Sequence, residues 1–136
     1  MTTVRLVPLS EINNIWEGVE SWLSPAISNT DAEYKLDDIK RFVVYGAWDL
    51  YIAEDNSGNI IGATTLAYNR FNLEYVAIIT AIGGKLITKT ETFDKFKDLV
   101  FASGVTRLQG IVSDSLSRLV KKIGFSKKAI LVELRP

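Results

Sequence analysis

Residues 73–82, with the sequence LEYVAIITAI, constrain the fold of this chain more than any other segment. Their apolar side chains fall on both alternating faces, which indicates a β-strand that is covered on both sides, near the middle of a sheet. The glycine pair Gly83–Gly84 ends the pattern. A strand of this kind predicts a sheet with helices packed against both of its faces.

The segments before this strand alternate between extended and helical patterns. Residues 4–7 predict a short first strand. Apolar residues at three- and four-residue spacing then predict two amphipathic helices. The first helix is expected to end at Pro25, because proline disfavours helical geometry in the residue before it. The second helix is expected to begin at a start signal in residues 29–31 and to stop near Gly46.

A cluster of turn-forming residues, 54–59, separates two strand-like segments. These segments cover residues 48–53 and 60–68. Since the cluster is rich in residues that tolerate unusual backbone angles, we expect it to join the two strands into an antiparallel hairpin.

The part of the chain after the central strand continues the alternation. A third helix ends at Gly104, a strand follows at residues 107–112, a fourth helix ends at Gly124, and a last strand covers residues 128–134. The expected order is β-α-α-β-β-β-α-β-α-β. Since a helix joins the fourth and fifth strands, they should be parallel, whereas the earlier hairpins are antiparallel. We therefore predict an α/β (α+β) fold in one domain, residues 1–136, with a mixed, mostly antiparallel sheet and helices on both faces.

The absence of Cys and His from the 136 residues excludes much enzyme chemistry. It leaves no disulfide, thiolate nucleophile, imidazole base or Cys- or His-ligated metal, and we expect no metal at all. Because 16 Lys and Arg balance 16 Asp and Glu, a nucleic-acid partner is not expected. No apolar run is long enough to span a bilayer, and no secretion signal is evident, so we expect a soluble, cytoplasmic protein without a membrane partner.

Two segments resemble the GNAT superfamily, the Gcn5-related N-acetyltransferases. Residues 53–63 look like the hairpin between the second and third strands of that family, and residues 118–125 look like its penultimate helix with a Gly-Phe corner. The resemblance implies an acyl-CoA-dependent N-acyltransferase that uses acetyl-CoA and a small-molecule or protein amine as the acceptor. With no Cys in the chain, the transfer is expected to be direct, without a covalent enzyme intermediate.

The family holds the CoA pyrophosphate on a loop of the form Q/R-x-x-G-x-G/A, which opens the helix after the fourth strand, and this loop is altered here. The glycine pair comes several residues before the helix, so we interpret it as a strand-ending turn. The resemblance assigns the pyrophosphate to Thr88, Lys89 and Thr90, because amides at a helix start attract anions. Glu91 and Asp94 in the same first turn would repel that anion.

The other cofactor contacts also follow from the resemblance. The pantetheine arm is expected along the backbone of Ile79, Thr80 and Ala81, if the fourth and fifth strands part there. Ser113 stands at the head of the last helix, where the family often has Asn. These contacts would be made by backbone groups, so the sequence contains no side-chain motif that marks them.

The catalytic positions depart from the family pattern as well. The family uses a carboxylate on the fourth strand as the base, and Glu74 with Tyr75 are the candidates here, although both lie near the beginning of that strand. The opposite interpretation makes Glu74 an exposed strand-end residue. The tyrosine that protonates the leaving thiolate in the family is replaced by Val120.

Several alternatives stay open at this stage. Trp16 and Trp22 either line an acceptor pocket or, as is more usual for aromatics at helical spacing, belong to the core. The altered loop and Val120 also fit a catalytically inactive GNAT-fold binding or structural protein, virion-associated as in some small phage-type GNAT-like proteins. A homodimer is compatible with the fold, but no segment of the sequence identifies an interface.

Overall fold

The computed structural model of the protein describes residues 2–28, 34–112 and 114–136, and its strands form one sheet. The order across the sheet follows the order in the chain, β1-β2-β3-β4-β5. The strands are β1 (Thr3–Leu6), β2 (Asp49–Glu54), β3 (Ile60–Phe71), β4 (Glu74–Gly84) and β5 (Arg107–Gly110).

The four predicted helices are present, and the structure adds a short helix, α3 (Lys85–Thr88), that was not predicted. A 3₁₀ turn (Leu9–Glu11) leads into α1 (Ile12–Ser28), and the further helices are α2 (Leu36–Val44), α3 (Lys85–Thr88), α4 (Thr90–Ala102) and α5 (Asp114–Lys122). The start signal predicted for the second helix at residues 29–31 lies outside the described residues.

Strand pairing confirms a mixed, mostly antiparallel sheet. The pairs β1–β2, β2–β3 and β3–β4 are antiparallel, whereas β4 and β5 are parallel. The parallel pair follows from the chain path, since α3 and α4 carry the chain back to the end of the sheet at which β4 began.

Two apolar clusters, one on each face of the sheet, form the core. On one face, α1 and α2 pack against β2 and β3, with Val19, Leu23 and Ile39 fully buried. On the other face, Phe93 and Phe96 of α4 pack against alternate residues of the same strands. Because β4 contributes to both clusters, the prediction of a strand covered on both sides is confirmed.

The end of helix α1 differs from the sequence-based expectation. Helix α1 continues through Pro25 to Ser28, although proline removes one backbone hydrogen bond within the helix. The apolar face of the preceding turns, including the buried Trp16 and Val19, holds the helix on the sheet, so packing outweighs the local preference. The burial of Trp16 also supports the core interpretation of that residue.

The predicted last strand at residues 128–134 is not formed. Residues 126–136 have no regular structure, and their apolar side chains are exposed. An alternating apolar segment becomes a strand only where its backbone finds the edge of another strand, and this information is absent from the local pattern. Strand β5 also ends at Gly110, two residues earlier than predicted.

Very close packing joins α1 to the end of β4. A Cβ atom added at Gly83 would lie 2.0 Å from the carbonyl oxygen of Trp22, and Gly84 has a φ of +69° that favours glycine. The indole Nε1–H of Trp22 donates a 2.9 Å hydrogen bond to the carbonyl of Ile60, which fixes the ring over this corner of the sheet. The glycine pair therefore forms the end of β4 itself, since Gly83 and Gly84 still pair with Ala63 and Gly62, and it admits the close approach of α1.

This contact predicts that Gly83→Ala destabilises the protein by about 3 kcal/mol, because α1 must move away from β4 to admit the methyl group. Chemical denaturation of the purified variant measures the change in the free energy of unfolding. Gly110→Ala is the matched control, since its Cβ would have no heavy atom closer than 3.7 Å, and it should stay near the wild-type value. Equal stability of the two variants would contradict the close approach of Trp22.

Candidate functional site

The pairing between β4 and the outer strand β5 covers only part of β4. Their pairing runs from Val76 opposite Arg107 to Ile79 opposite Gly110 and then stops. Residues 80–84 continue along β3, and among the described residues none of β5 pairs with them. We call this opening, between residues 80–84 and the end of β5, the β4–β5 notch. One backbone edge of β4 faces it.

A β-bulge lies where the notch begins. Thr65 pairs with Ala81 and Leu66 pairs with Ile79, so Thr80 is the extra residue on β4. A bulge of this kind bends its strand and redirects the neighbouring backbone groups, and bulges are frequent next to active sites.

Threonine hydroxyls hold the bulge in place. The Thr80 hydroxyl donates to the carbonyl of Thr65 at 3.0 Å, which leaves the Thr65 hydroxyl to donate to Thr80 Oγ1 at 2.7 Å. The buried Thr64 hydroxyl donates to the carbonyl of Ala81 at 2.8 Å. The structure thus brings Thr80 and Ala81 to the start of the notch, with Ile79 in the last pair before it.

The three residues assigned to the pyrophosphate lie beyond the other end of the notch. Thr88, Lys89 and Thr90 are exposed, and the Thr88 hydroxyl donates to the carbonyl of Gly84 at 3.2 Å. Lys89 is the N-cap of α4, and no side chain caps the first turn of that helix. Its first amides therefore lack side-chain partners within the described residues.

A pocket of about 190 Å³ lies beside this helix start. Lys85 and Lys89 line it together with Thr2 and Ile61. Because Thr2 precedes β1 and Ile61 belongs to β3, the pocket lies on the β1 side of β4 and does not extend over the notch.

Glu74 lies at the opposite end of β4 and is engaged in contacts with the start of β5. Its carboxylate accepts a hydrogen bond from the Thr106 hydroxyl and pairs with Arg107 Nη2 at 3.3 Å. These contacts, the Thr106 hydrogen bond first, hold the pKa of Glu74 below its ordinary value, which weakens it as a base. Six residues of extended chain also separate it from Thr80, roughly 20 Å. Both observations count against Glu74 as the catalytic base and favour the opposite interpretation, a residue at the end of the strand.

Tyr75 belongs to an aromatic cluster at that same end. Its ring stacks on Tyr68 with centroids 5.2 Å apart, and the Arg70 guanidinium lies 3.9 Å from the ring centroid. The Tyr68 hydroxyl donates a 2.6 Å hydrogen bond to Asp49 Oδ2. Burial and this hydrogen bond raise the pKa of Tyr68, so the hydroxyl keeps its proton near neutral pH.

Sequence reasoning missed the contact between Asp49 and Tyr68. The signal was available only in part: the hairpin of β2 and β3 was predicted, but the register that brings the two side chains together was not. Unlike Glu74, the pair lies near the start of the notch in the register of the sheet, because Asp49 pairs with Leu66, Leu66 pairs with Ile79, and Tyr68 pairs with Ala77.

Val120 is a half-buried residue of α5 that packs against the second core cluster. Its carbonyl accepts hydrogen bonds from the amides of Ile123 and Phe125, and its side chain carries no proton to donate. Ser113, predicted at the head of this helix, lies outside the described residues.

Two negative findings concern the residues that the structure describes. No group of three or more acidic side chains is placed to hold a metal ion there. No helix in that part of the chain combines the length and the apolar character needed to cross a membrane.

Comparisons with known proteins support the fold. No family model matches the chain, and no curated protein sequence matches it. Solved structures match over nearly the whole chain. A predicted acetyltransferase from Clostridium acetobutylicum, determined with acetyl-CoA, shares 15% identity at a TM-score of 0.65, covering 99% of this chain and 96% of its own.

Two further matches have named acetyl acceptors. Glucosamine-6-phosphate N-acetyltransferase from Arabidopsis thaliana is 13% identical, with a TM-score of 0.61 and 99% and 98% of the two chains covered. An aminoglycoside 6'-N-acetyltransferase from Acinetobacter baumannii is 11% identical, with a TM-score of 0.66 and coverage of 100% and 98%. The chain therefore has the fold of the GNAT acetyltransferases, as the resemblance implied.

The engagement of Glu74 predicts a specific pH dependence of stability. Since its folded-state pKa is lowered, its contribution is fully present above the ordinary pKa of about 4.5 and is lost as the pH falls through the lowered value. The difference in unfolding free energy between the wild type and Glu74→Gln should be largest near pH 7 and should shrink as the pH falls below about 4.5. Urea denaturation over a pH series measures it.

Thr106→Val supplies the control, because it removes the hydrogen bond that contributes most to the shift. In the Thr106→Val background, the pH dependence of the Glu74→Gln difference should become weaker. A difference that stays constant from pH 7 to pH 3 would contradict the contacts described for Glu74.

Proposed function

We propose that this protein is an acyl-CoA-dependent N-acyltransferase that transfers an acetyl group from acetyl-CoA to an amine. The observation that carries the proposal is the β4–β5 notch, where β5 ends at Gly110 and the edge of β4 from the Thr80 bulge onward has no strand partner among the described residues. An extended amide chain such as pantetheine can add to such an edge in the manner of a strand. The Clostridium acetobutylicum structure of the same fold, described with acetyl-CoA, supports this choice of donor.

In the proposed complex, Ile79, Thr80 and Ala81 hold the pantetheine arm through their backbone groups. The hydroxyl contacts of Thr65 and Thr80 keep the bulge rigid, so a backbone N–H at this point can be directed at the thioester carbonyl without reorganisation. Polarisation of that carbonyl is the main electronic contribution that the chain makes to the reaction.

The pyrophosphate is proposed to bind at the start of α4. The amides of its first turn lack a side-chain cap, and Lys89, Thr88 and Thr90 are exposed beside them. The acids of this turn are partly balanced within the helix, because Glu91 lies 4.0 Å from Lys95 and Asp94 lies 3.5 Å from Lys97. Their repulsion of a bound anion is reduced accordingly.

The proposed transfer needs no covalent intermediate on the protein. The acceptor nitrogen forms a bond to the acyl carbon, the carbon–sulfur bond breaks, and the thiolate leaves with its electron pair. The proton of the amine passes to solvent, because Glu74 lies far from the notch and Val120 supplies no acid. Holding the two reactants together accounts for most of the expected rate enhancement.

The acceptor is proposed to be a small-molecule or protein amine. The named neighbours act on glucosamine-6-phosphate and on aminoglycosides, and both of these compounds carry amines. A binding protein of the same fold without turnover is the alternative, and Val120 at the position of the family's tyrosine favours it.

Acetyl-CoA is expected to stabilise the protein against heat. Ligand at 100 times its dissociation constant adds about 2.7 kcal/mol to the unfolding free energy, which raises the melting temperature by roughly 10 °C for a domain of this size. Lys89→Ala should weaken binding by about tenfold, because it removes a charge-assisted contact to the pyrophosphate. Calorimetric titration with acetyl-CoA measures the dissociation constants of the wild type and of Lys89→Ala.

Lys40→Ala is the matched control, because it removes the same charge from α2, which packs on the opposite face of the sheet. It should bind acetyl-CoA like the wild type. No stabilisation by acetyl-CoA, other acyl-CoAs or free CoA would overturn the proposed function. Equal affinity of Lys89→Ala and the wild type would show that the pyrophosphate lies elsewhere.

Turnover of acetyl-CoA can be followed as thiol release, without a background from thiols of the protein. Since the chain contains no Cys, any thiol that appears in a mixture of protein, acetyl-CoA and amine comes from released CoA. Amine-dependent thiol release supports the enzyme, whereas tight binding of acetyl-CoA without release across a panel of amino sugars, polyamines and peptides supports the alternative.

A further inference from the structure

The Thr80 hydroxyl has a hydrogen-bonding capacity that the bulge does not use. A threonine hydroxyl can donate one hydrogen bond and accept two. Thr80 donates its proton to the carbonyl of Thr65 at 3.0 Å and accepts one hydrogen bond, from the Thr65 hydroxyl at 2.7 Å. Among the described residues these are its two contacts. One lone pair remains, so towards a ligand this hydroxyl can only accept a hydrogen bond.

Burial fixes the direction of this pair of hydrogen bonds. Thr65 is fully buried, so its hydroxyl proton has no water to reach and is donated to Thr80 Oγ1. Thr80 itself is only half-buried. The pair therefore offers no donor to a carbonyl or a phosphate oxygen, but it offers an acceptor to an N–H group.

The Thr80 hydroxyl lies on the face of the sheet that carries α1 and α2. Its partner Thr65 alternates along β3 with Ala63 and Ala67, which pack in the apolar cluster beneath these two helices. Apart from the first two residues of β4, at the far end of the strand, Thr80 is the only residue of β4 with a polar side chain. A polar ligand group that reaches the start of the notch on this face therefore meets Thr80.

The opposite face of the notch does not offer an equivalent acceptor among the described residues. Ile79, Leu108 and Val120 belong to the second apolar cluster, and none of these side chains can accept a hydrogen bond. The Asp49 carboxylate lies two strand spacings from β4 in the register of the sheet, roughly 10 Å. Its Oδ2 atom already accepts the hydrogen bond from Tyr68.

We propose that Thr80 Oγ1 binds the amine of the acetyl acceptor by accepting a hydrogen bond from one of its N–H groups. This inference rests on the proposed function, in which the backbone of residues 79–81 holds the thioester beside Thr80. A neutral amine attacks through its lone pair, and a hydrogen bond from one N–H fixes the direction of that lone pair. As the carbon–nitrogen bond forms, the nitrogen becomes positively charged. Its N–H groups then become stronger donors, so the contact with Thr80 is strongest in the transition state.

Thr80 orients the amine and does not remove its proton. The Thr80 proton is held by the Thr65 carbonyl, which is not a base, so the amine proton passes to solvent as the carbon–sulfur bond breaks. A primary amine has two N–H groups, one to donate to Thr80 and one to release. An alcohol or a secondary amine has a single proton, which cannot serve both purposes. The acceptor class is therefore a primary amine.

Two stable thioethers of CoA test this contact without knowledge of the natural acceptor. One carries S–CH₂–CO–NH–CH₃ and the other S–CH₂–CO–O–CH₃, so they differ in an N–H against an oxygen at the position of the attacking nitrogen. Calorimetric titration gives the ratio of their affinities for Thr65→Val and for Thr65→Val/Thr80→Val. Both variants lack the Thr65 hydroxyl, so neither leaves a buried donor without a partner, and they differ only in the Thr80 hydroxyl.

The preference for the amide over the ester should fall about tenfold from Thr65→Val to the double variant, as expected for the loss of one hydrogen bond. Thr65→Val/Thr80→Ser should recover the preference, because serine supplies the same hydroxyl. Melting curves of the three variants establish that each is folded.

The outcomes separate this inference from the proposed function. Binding of both thioethers with the same ratio in Thr65→Val and in the double variant overturns the role of Thr80 and leaves the proposed function in place. A ratio that the serine variant does not recover also overturns it. Failure of the wild type to bind either thioether or free CoA overturns the proposed function, and the role of Thr80 with it.

Discussion

The structure depends on how the backbone of β4 divides its hydrogen bonds. β4 pairs with β3 along nearly its whole length, but with β5 only from Val76 to Ile79. The first pairing fixes the strand in the centre of the sheet, and the short second pairing leaves the β4–β5 notch. A β4 that was paired with β5 along its whole length would give the same core but would leave no free edge for an extended ligand. The proposed chemistry therefore depends on the shortness of the β4–β5 pairing.

Helix α1 and the threonine hydroxyls maintain this division. The helix presses the Trp22 carbonyl against Gly83, so the end of β4 cannot shift toward α1. The contacts among Thr64, Thr65 and Thr80 fix the extra residue at the bulge. Both devices act on the backbone, which explains why a chain without the family's glycine loop, base and tyrosine still has the fold of these enzymes.

Features that depend on local patterns could be predicted from the sequence, and features that depend on distant partners could not. The two-sided apolar pattern of β4 and the turn residues of the β2–β3 hairpin are local signals, and the structure confirms both predicted elements. The pKa of Glu74 depends on Thr106 and Arg107, which lie about thirty residues away. Similarly, residues 128–134 have the alternation of a strand, but no local signal states whether an edge will pair with them.

The shortness of the β4–β5 pairing also bears on how the molecule assembles. β1 to β4 join neighbours through antiparallel pairs, two of which close over short turns, whereas β5 must wait until α3 and α4 are in place. Contacts between distant parts of a chain form late. The segment from β5 onward, whose backbone is paired with the sheet through only four residue pairs, is therefore expected to open and close as a separate cooperative unit, with the slowest hydrogen exchange in β2 and β3.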